Sequence, residues 1–229
     1  NISNQFFENS SNIGKIILRP LSILIYSNEN LPFILEQPSL LKNRGHKVEL
    51  HYFRGSKNPF VYMKEIMRMR KINNKKFDVI HAYFGVSGFT AIWVRKIPVI
   101  TTYLGSDLLG EVNSRGKYDI ILTSVSWIAS IFSQIFSIKT TTISIKLADK
   151  ILLKKKNQII KLGVDVEHFQ IINMLHARKI LNWDPEGIYI LFPADQKRAI
   201  KRYYIAEQII NSLKDYFENI HLVSLDKPN

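Results

Sequence analysis

Phe77-Asp78-Val79-Ile80-His81-Ala82-Tyr83-Phe84-Gly85-Val86-Ser87-Gly88 is the stretch that decides the architecture. Residues 77–82 are a strand-length apolar run, and Gly85 and Gly88 then open a helical pattern that continues through Val94. The same alternation repeats on either side. Upstream, residues 22–26 form an apolar run between Pro20 and the polar Ser27-Asn28-Glu29-Asn30, a buried strand entering a loop. A helical stretch follows to Arg44, kinked or begun at Pro38, and Gly45 stops it. Residues 47–53 alternate as a second strand, and 60–72 return to helical spacing with Tyr62, Ile66 and Met69 on one side. Downstream, residues 98–103 form a fourth strand. No tight hairpin signal joins these strands, so crossover helices must, and the expectation is a doubly wound parallel α/β sheet with helices on both faces.

Residues 116–156 resist parsing, apart from the short basic run Lys154-Lys155-Lys156. Residues 157–162 read as a strand that turns out at Gly163-Val164-Asp165. After the turn Trp183-Asp184-Pro185-Glu186-Gly187, a strand over 188–192, a helix over 199–216 and a strand over 220–225 begin a second βαβ unit. The expected organisation is a disordered leader over 1–19, a first domain over 20–163, a linker over 164–187 and the start of a second domain over 188–229.

The chain has 229 residues with 46% apolar and 22% charged content, which excludes disordered and fibrous classes. Thirty-two Lys and Arg against nineteen Asp and Glu give +13. That excess favours nucleotides, phosphorylated lipids, membrane surfaces or nucleic acid, although lysine-rich codon bias yields the same balance. The basic residues are scattered without interleaved stacking aromatics, which argues against nucleic acid. With no cysteine, disulfides and cysteine zinc sites are excluded, and an intracellular chain fits. The first twelve residues lack the features of a secretory signal.

Residues 120–138 carry no charge, close to the ~18–20 residues of a spanning helix. Ser126, Ser130, Ser133 and Ser137 nevertheless make a polar stripe opposite Ile128, Ile131, Ile135 and Ile138. The expectation is a buried or interfacial amphipathic segment rather than a span.

Ligands of open parallel sheets bind beyond the carboxyl ends of strands, and three segments put polar or glycine residues there. In the first, His81 precedes Gly85, Ser87 and Gly88; the glycines permit backbone approach to an anion at a helix start, or simply make a tight turn. The second, Tyr103-Leu104-Gly105-Ser106-Asp107, places Ser106 and Asp107 to cap a helix or to bind sugar hydroxyls. The third, residues 190–202, follows a strand with Lys197, Arg198, Lys201 and Arg202, a diphosphate clamp or a solvated loop.

Together with Leu40-Leu41-Lys42-Asn43-Arg44-Gly45-His46-Lys47-Val48, Ala148-Asp149-Lys150-Ile151 and Leu162-Gly163-Val164-Asp165-Val166-Glu167-His168-Phe169, these segments resemble glycosyltransferase family four, in order, over residues 21–225. The resemblance implies a GT-B fold, two Rossmann-like domains facing across a cleft. It also implies transfer of a sugar, with retention, from a nucleotide-sugar donor to a glycan, lipid-linked or cell-envelope acceptor. No metal or cofactor is implied. Arg198 and Lys201 would meet the donor diphosphate, stabilising charge on the departing nucleoside diphosphate. His81, Gly85, Ser87, Gly88, Gly105, Ser106 and Asp107 would line the acceptor side.

Four departures stand out. The family's carboxylate pair is absent through Asn229, which leaves the catalytic residues unnamed and marks the chain as a fragment. Leu104 stands where many relatives carry a histidine. The loop over 27–30 lacks paired glycines, and 151–157 enters the next strand without the expected helix, as a local deletion would. The expected setting is the cytoplasm, with Lys64, Arg68, Arg70, Lys71, Lys75 and Lys76 offering peripheral contact with the inner face of an anionic membrane, or an ordinary solvated helix face. The alternative function is a non-catalytic or degenerate module that binds a sugar nucleotide or a membrane surface.

Overall fold

A computed structural model describes residues 19–225 except 57, 95, 111, 114 and 115. The expected leader, save for Arg19, lies outside the described residues. The chain divides into two compact units: the residues up to Leu108 with Val125–Ile160, and Leu109–Ser124 with the residues from Lys161 onward.

In the first unit, Ser22–Ser27 (β1) lies inside the sheet and buries Ile23, Leu24, Ile25 and Tyr26 on both faces. Lys47–Tyr52 (β2) pairs with one side of it and Val79–Tyr83 (β3) with the other. Val99–Tyr103 (β4), Lys139–Thr142 (β5) and Asn157–Ile159 (β6) extend the sheet. Among the described residues six strands are parallel in the order β2-β1-β3-β4-β5-β6, so the strand order reverses between β1 and β3.

Helix Pro32–Asn43 (α1) connects β1 to β2 and buries Ile34 against Ile23, Ile25 and Val48. It runs through Pro38 without stopping; Gly45, with φ +88°, supplies the left-handed turn after it. Helices Pro59–Lys71 (α2) and Gly85–Ala91 (α3) pack on the opposite side, where Met69 and Ala91 meet Leu24, Tyr26, Ile80 and Ala82. Right-handed crossovers running in opposite directions from β1 account for this division. Helix α3 is shorter than the pattern through Val94 suggests, since Ile92 closes it.

After β4 comes a four-residue helix Ser106–Leu109 (α4), and the segment that resisted parsing contains the 17-residue helix Ile120–Phe136 (α5) and a short helix Ile145–Ala148 (α6). A 3₁₀ turn, Lys154–Lys156, then enters β6. The region suspected of a deletion therefore completes the sheet: Leu147 and Ile151 bury beside Tyr103 and Leu108. Among the described residues no helix is long and apolar enough to cross a membrane.

The second unit holds a helix Met174–Ile180 (α7), capped by the Asn173 side chain, and a parallel pair, Ile188–Phe192 (β7) and Ile220–Ser224 (β8), joined by helix Tyr203–Leu213 (α8). Helix α8 starts later than the sequence pattern suggests. Ala199–Lys201 instead forms a 3₁₀ turn, and Arg202, at φ +55°, separates it from the helix.

Candidate functional site

The carboxyl ends of β1, β3 and β4 deliver their loops to one edge of the first sheet. At the reversal of strand order, Ser87 Oγ donates to Asn28 Oδ1 at 2.7 Å, joining the loop after β1 to the start of α3. Asn28 also accepts the Gly55 N–H through its carbonyl, so the loop without glycines is anchored on both sides.

Asp107, 3% exposed, ties this edge to the next loop. Its Oδ2 accepts the Gly85 N–H (3.2 Å) and its Oδ1 the Gly105 N–H (2.9 Å). Burial raises its pKa to about 6, against the lowering effect of these backbone N–H donors. Phe84, between β3 and α3, holds φ at +72°, a conformation that ordinarily favours glycine. Its ring is buried in the α1 cluster and its N–H bonds the Thr102 carbonyl, which together fix the strained turn.

Gly85 and Gly88 serve a packing purpose visible in the geometry. A Cβ on Gly85 would stand 1.9 Å from Ser130 Oγ and 2.9 Å from its Cα; one on Gly88 would stand 2.6 Å from Thr101 Oγ1 and 2.8 Å from Ser133 Cβ. The serine stripe of α5 therefore faces inward. Ser130 Oγ donates to the Asp107 carbonyl (3.0 Å), Ser137 bonds Thr101 (2.8 Å), and the Tyr103 hydroxyl meets both Ser133 and the Ser130 carbonyl.

His81 lies deeper along β3. Its Nε2 is 2.7 Å from Thr102 Oγ1, Thr102 is in turn 2.5 Å from Thr141 Oγ1, and the Tyr83 ring lies 4.4 Å away. Burial lowers the His81 pKa to about 4, so the imidazole is neutral at physiological pH. Ser106 is partly exposed at the first position of α4. Leu104 packs against the α1 cluster with Phe84 and Ile34. No set of three His, Asp or Glu side chains among the described residues converges as metal ligands would.

In the second unit, Arg198 and Lys201 are exposed after β7, and the Lys201 N–H bonds the Arg198 carbonyl. Asp195 shapes the loop by accepting the Lys197 N–H (2.8 Å), and Gln196 reaches Ser224 at the end of β8 (2.7 Å).

Among solved structures, the chain is similar to a glycosyltransferase from Rickettsia africae, at 14% identity and a TM-score of 0.58, over 92% of this chain and 69% of that one. It is also similar to the UDP-N-acetylglucosamine 2-epimerase from Rickettsia bellii, at 12% identity and a TM-score of 0.51, over 90% of this chain and 62% of that one. The fold is GT-B-like. No family model and no curated relative matches the chain.

Within this GT-B-like frame, Gly85, Gly105 and Asp107 are brought into direct contact, Ser87 joins them through α3, and His81 stands apart with Thr102. Two polar groupings escaped the sequence reading. One is the Asn28–Ser87 bond. The other lies under α2, where buried Glu65 meets the Tyr26 hydroxyl (3.3 Å) and His51 Nε2 (2.9 Å). Asn28 was legible only as loop and Glu65 only as one of many helix charges; no spacing links either to its partner.

Proposed function

We propose that the chain is part of a retaining glycosyltransferase that moves a sugar from a nucleotide-sugar donor to a glycan, lipid-linked or cell-envelope acceptor. The observation that carries this reading is the exposed pair Arg198 and Lys201 at the carboxyl edge of a parallel βαβ unit, where open sheets take ligands. In the transfer, the bond from the anomeric carbon to the diphosphate oxygen breaks and a bond to an acceptor hydroxyl oxygen forms. The acceptor gives up one proton, and the departing nucleoside diphosphate takes on negative charge. A guanidinium fork and an ammonium point charge stabilise that charge without a metal or cofactor.

The edge of the first unit would take the acceptor. Asp107 holds the Gly85 and Gly105 loops in place, the buried Ser87 braces the edge through Asn28, Ser106 offers a hydroxyl, and the neutral His81 contributes hydrogen bonding rather than charge. The net charge of +13 suits work at the cytoplasmic face of an anionic membrane.

Incubation with UDP- and GDP-sugars and a lipid extract tests the reading. Saturable binding of a nucleotide sugar by this chain is expected, with release of nucleoside diphosphate and a product of retained anomeric configuration only from a longer chain that carries the family's carboxylate pair. Failure of every nucleotide sugar to bind would overturn it. The second reading, a non-catalytic sugar-nucleotide module, is favoured by Leu104, which packs apolarly where many family members have a histidine. It predicts binding of the donor without release even when the carboxylate pair is supplied.

A further inference from the structure

Helix α5 is built inside out. Ser126, Ser130, Ser133 and Gln134 are buried, whereas Trp127, Ile128, Phe132, Ile135 and Phe136 are between 43% and 62% exposed. The positions 128, 132, 135 and 136 recur at helical spacing and form one ridge along the outward side. Phe89 and Trp93 widen it: the Phe89 ring lies edge-on to Phe132 (6.0 Å) and to Trp93 (6.4 Å), and Trp93 is 45% exposed.

The inward side is fixed by the packing described above. Gly85 and Gly88 leave no room for larger side chains at Ser130 and Ser133, so rotating the ridge inward would force Ile or Phe onto α3. An uncharged apolar ridge of this kind left in water marks a docking surface.

Cations collect at one end of it. Lys156 Nζ donates to the carbonyls of Ile135 (2.8 Å) and Ser137 (3.2 Å), which holds the Lys154–Lys156 turn against the C-terminus of α5. Lys154, Lys155 and Lys139 are exposed beside it. The basic residues of α2 and of the turn after it, by contrast, are partly engaged within the fold: Arg68 lies 2.8 Å from His51, and Lys76 bonds Glu49 at 2.8 Å.

We propose that the outward ridge of α5 docks the protein on an anionic lipid bilayer, the helix lying in the interface with the Lys154–Lys156 turn on the headgroups. Aromatic and aliphatic side chains enter the acyl boundary while lysines meet phosphate, the division that interfacial helices use. A second copy of the chain fits the ridge less well, because the contact would bring two net charges of +13 together. The inference names the surface for the membrane contact in the reading above. Vesicle binding needs no nucleotide, so the two fail separately.

Co-sedimentation of the full chain with phosphatidylcholine vesicles, with and without phosphatidylglycerol, is the test. Binding to the anionic vesicles should be stronger by roughly tenfold or more. Ile128→Glu with Ile135→Glu should abolish it while leaving the circular dichroism unchanged, and Lys154→Glu with Lys155→Glu should remove the preference for anionic lipid. Brominated lipid should quench Trp127 fluorescence, read as the difference from Trp127→Phe, which probes contact without altering the ridge's charge. Absence of vesicle binding, binding unaffected by the glutamates, or a ridge variant that only dissociates an oligomer would each overturn the proposal.

Discussion

Asp107 accepts N–H groups from two loops, one of them 22 residues away, and does so almost wholly out of water. Asp107→Ala strands both donors, and chemical denaturation should show a loss of roughly 2–4 kcal/mol; Asp107→Asn, keeping one acceptor, should lose less. An unchanged denaturation midpoint would remove Asp107 from its place as the tie between the loops. Its titration opposes that of His81. The Asp107 pKa is raised from 3.8 to about 6, so its contribution is full below the unfolded value and is lost as pH rises through about 6. The His81 pKa is lowered from 6.5 to about 4, so its contribution is full above 6.5 and is lost as pH falls through about 4. Stability measured between these limits should vary little in the parent chain. His81→Gln should make it fall with rising pH, and Asp107→Asn should make it fall with falling pH. Parallel pH profiles for all three proteins would contradict these assignments.

Helices α3 and α5 meet through small residues, and that contact sets both the site edge and the outward ridge. Gly85→Ala or Gly88→Ala drives a methyl into Ser130 or into Thr101 and Ser133, an overpacking cost of about 1–3 kcal/mol or more in thermal or urea unfolding. Gly45→Ala has open space around its Cβ and only its φ of +88° against it, so about 1 kcal/mol is expected there. A milder effect at Gly85 than at Gly45 would mean that the helices separate easily. The strands were legible because β1, β3 and β4 are buried apolar runs, and Gly45 marked the end of α1 for a reason local to the backbone. The serine spacing of α5 was legible too, but its inward direction was not: that depends on Gly85 and Gly88, more than forty residues earlier in the chain. The late start of α8 is a different kind of miss, since the left-handed Arg202 leaves no mark in hydrophobic periodicity. Asp107 was readable as a capping residue, whereas its bond to Gly85 required the two loops to meet in space.

Across the whole molecule, a charge of +13 is spread over two parallel α/β units, and its functional meaning rests on where cations stand clear of carboxylates. Arg198 and Lys201 stand exposed at a strand's carboxyl end, and the account assigns them the diphosphate of a nucleotide-sugar donor. Calorimetric titration of UDP and GDP into the full chain and into Arg198→Ala with Lys201→Ala tests that assignment most directly. The account predicts saturable binding of a nucleoside diphosphate, weakened by about tenfold or more in the double variant as two charge-assisted contacts are lost. Equal binding by both proteins, or no binding by the parent chain, would contradict it.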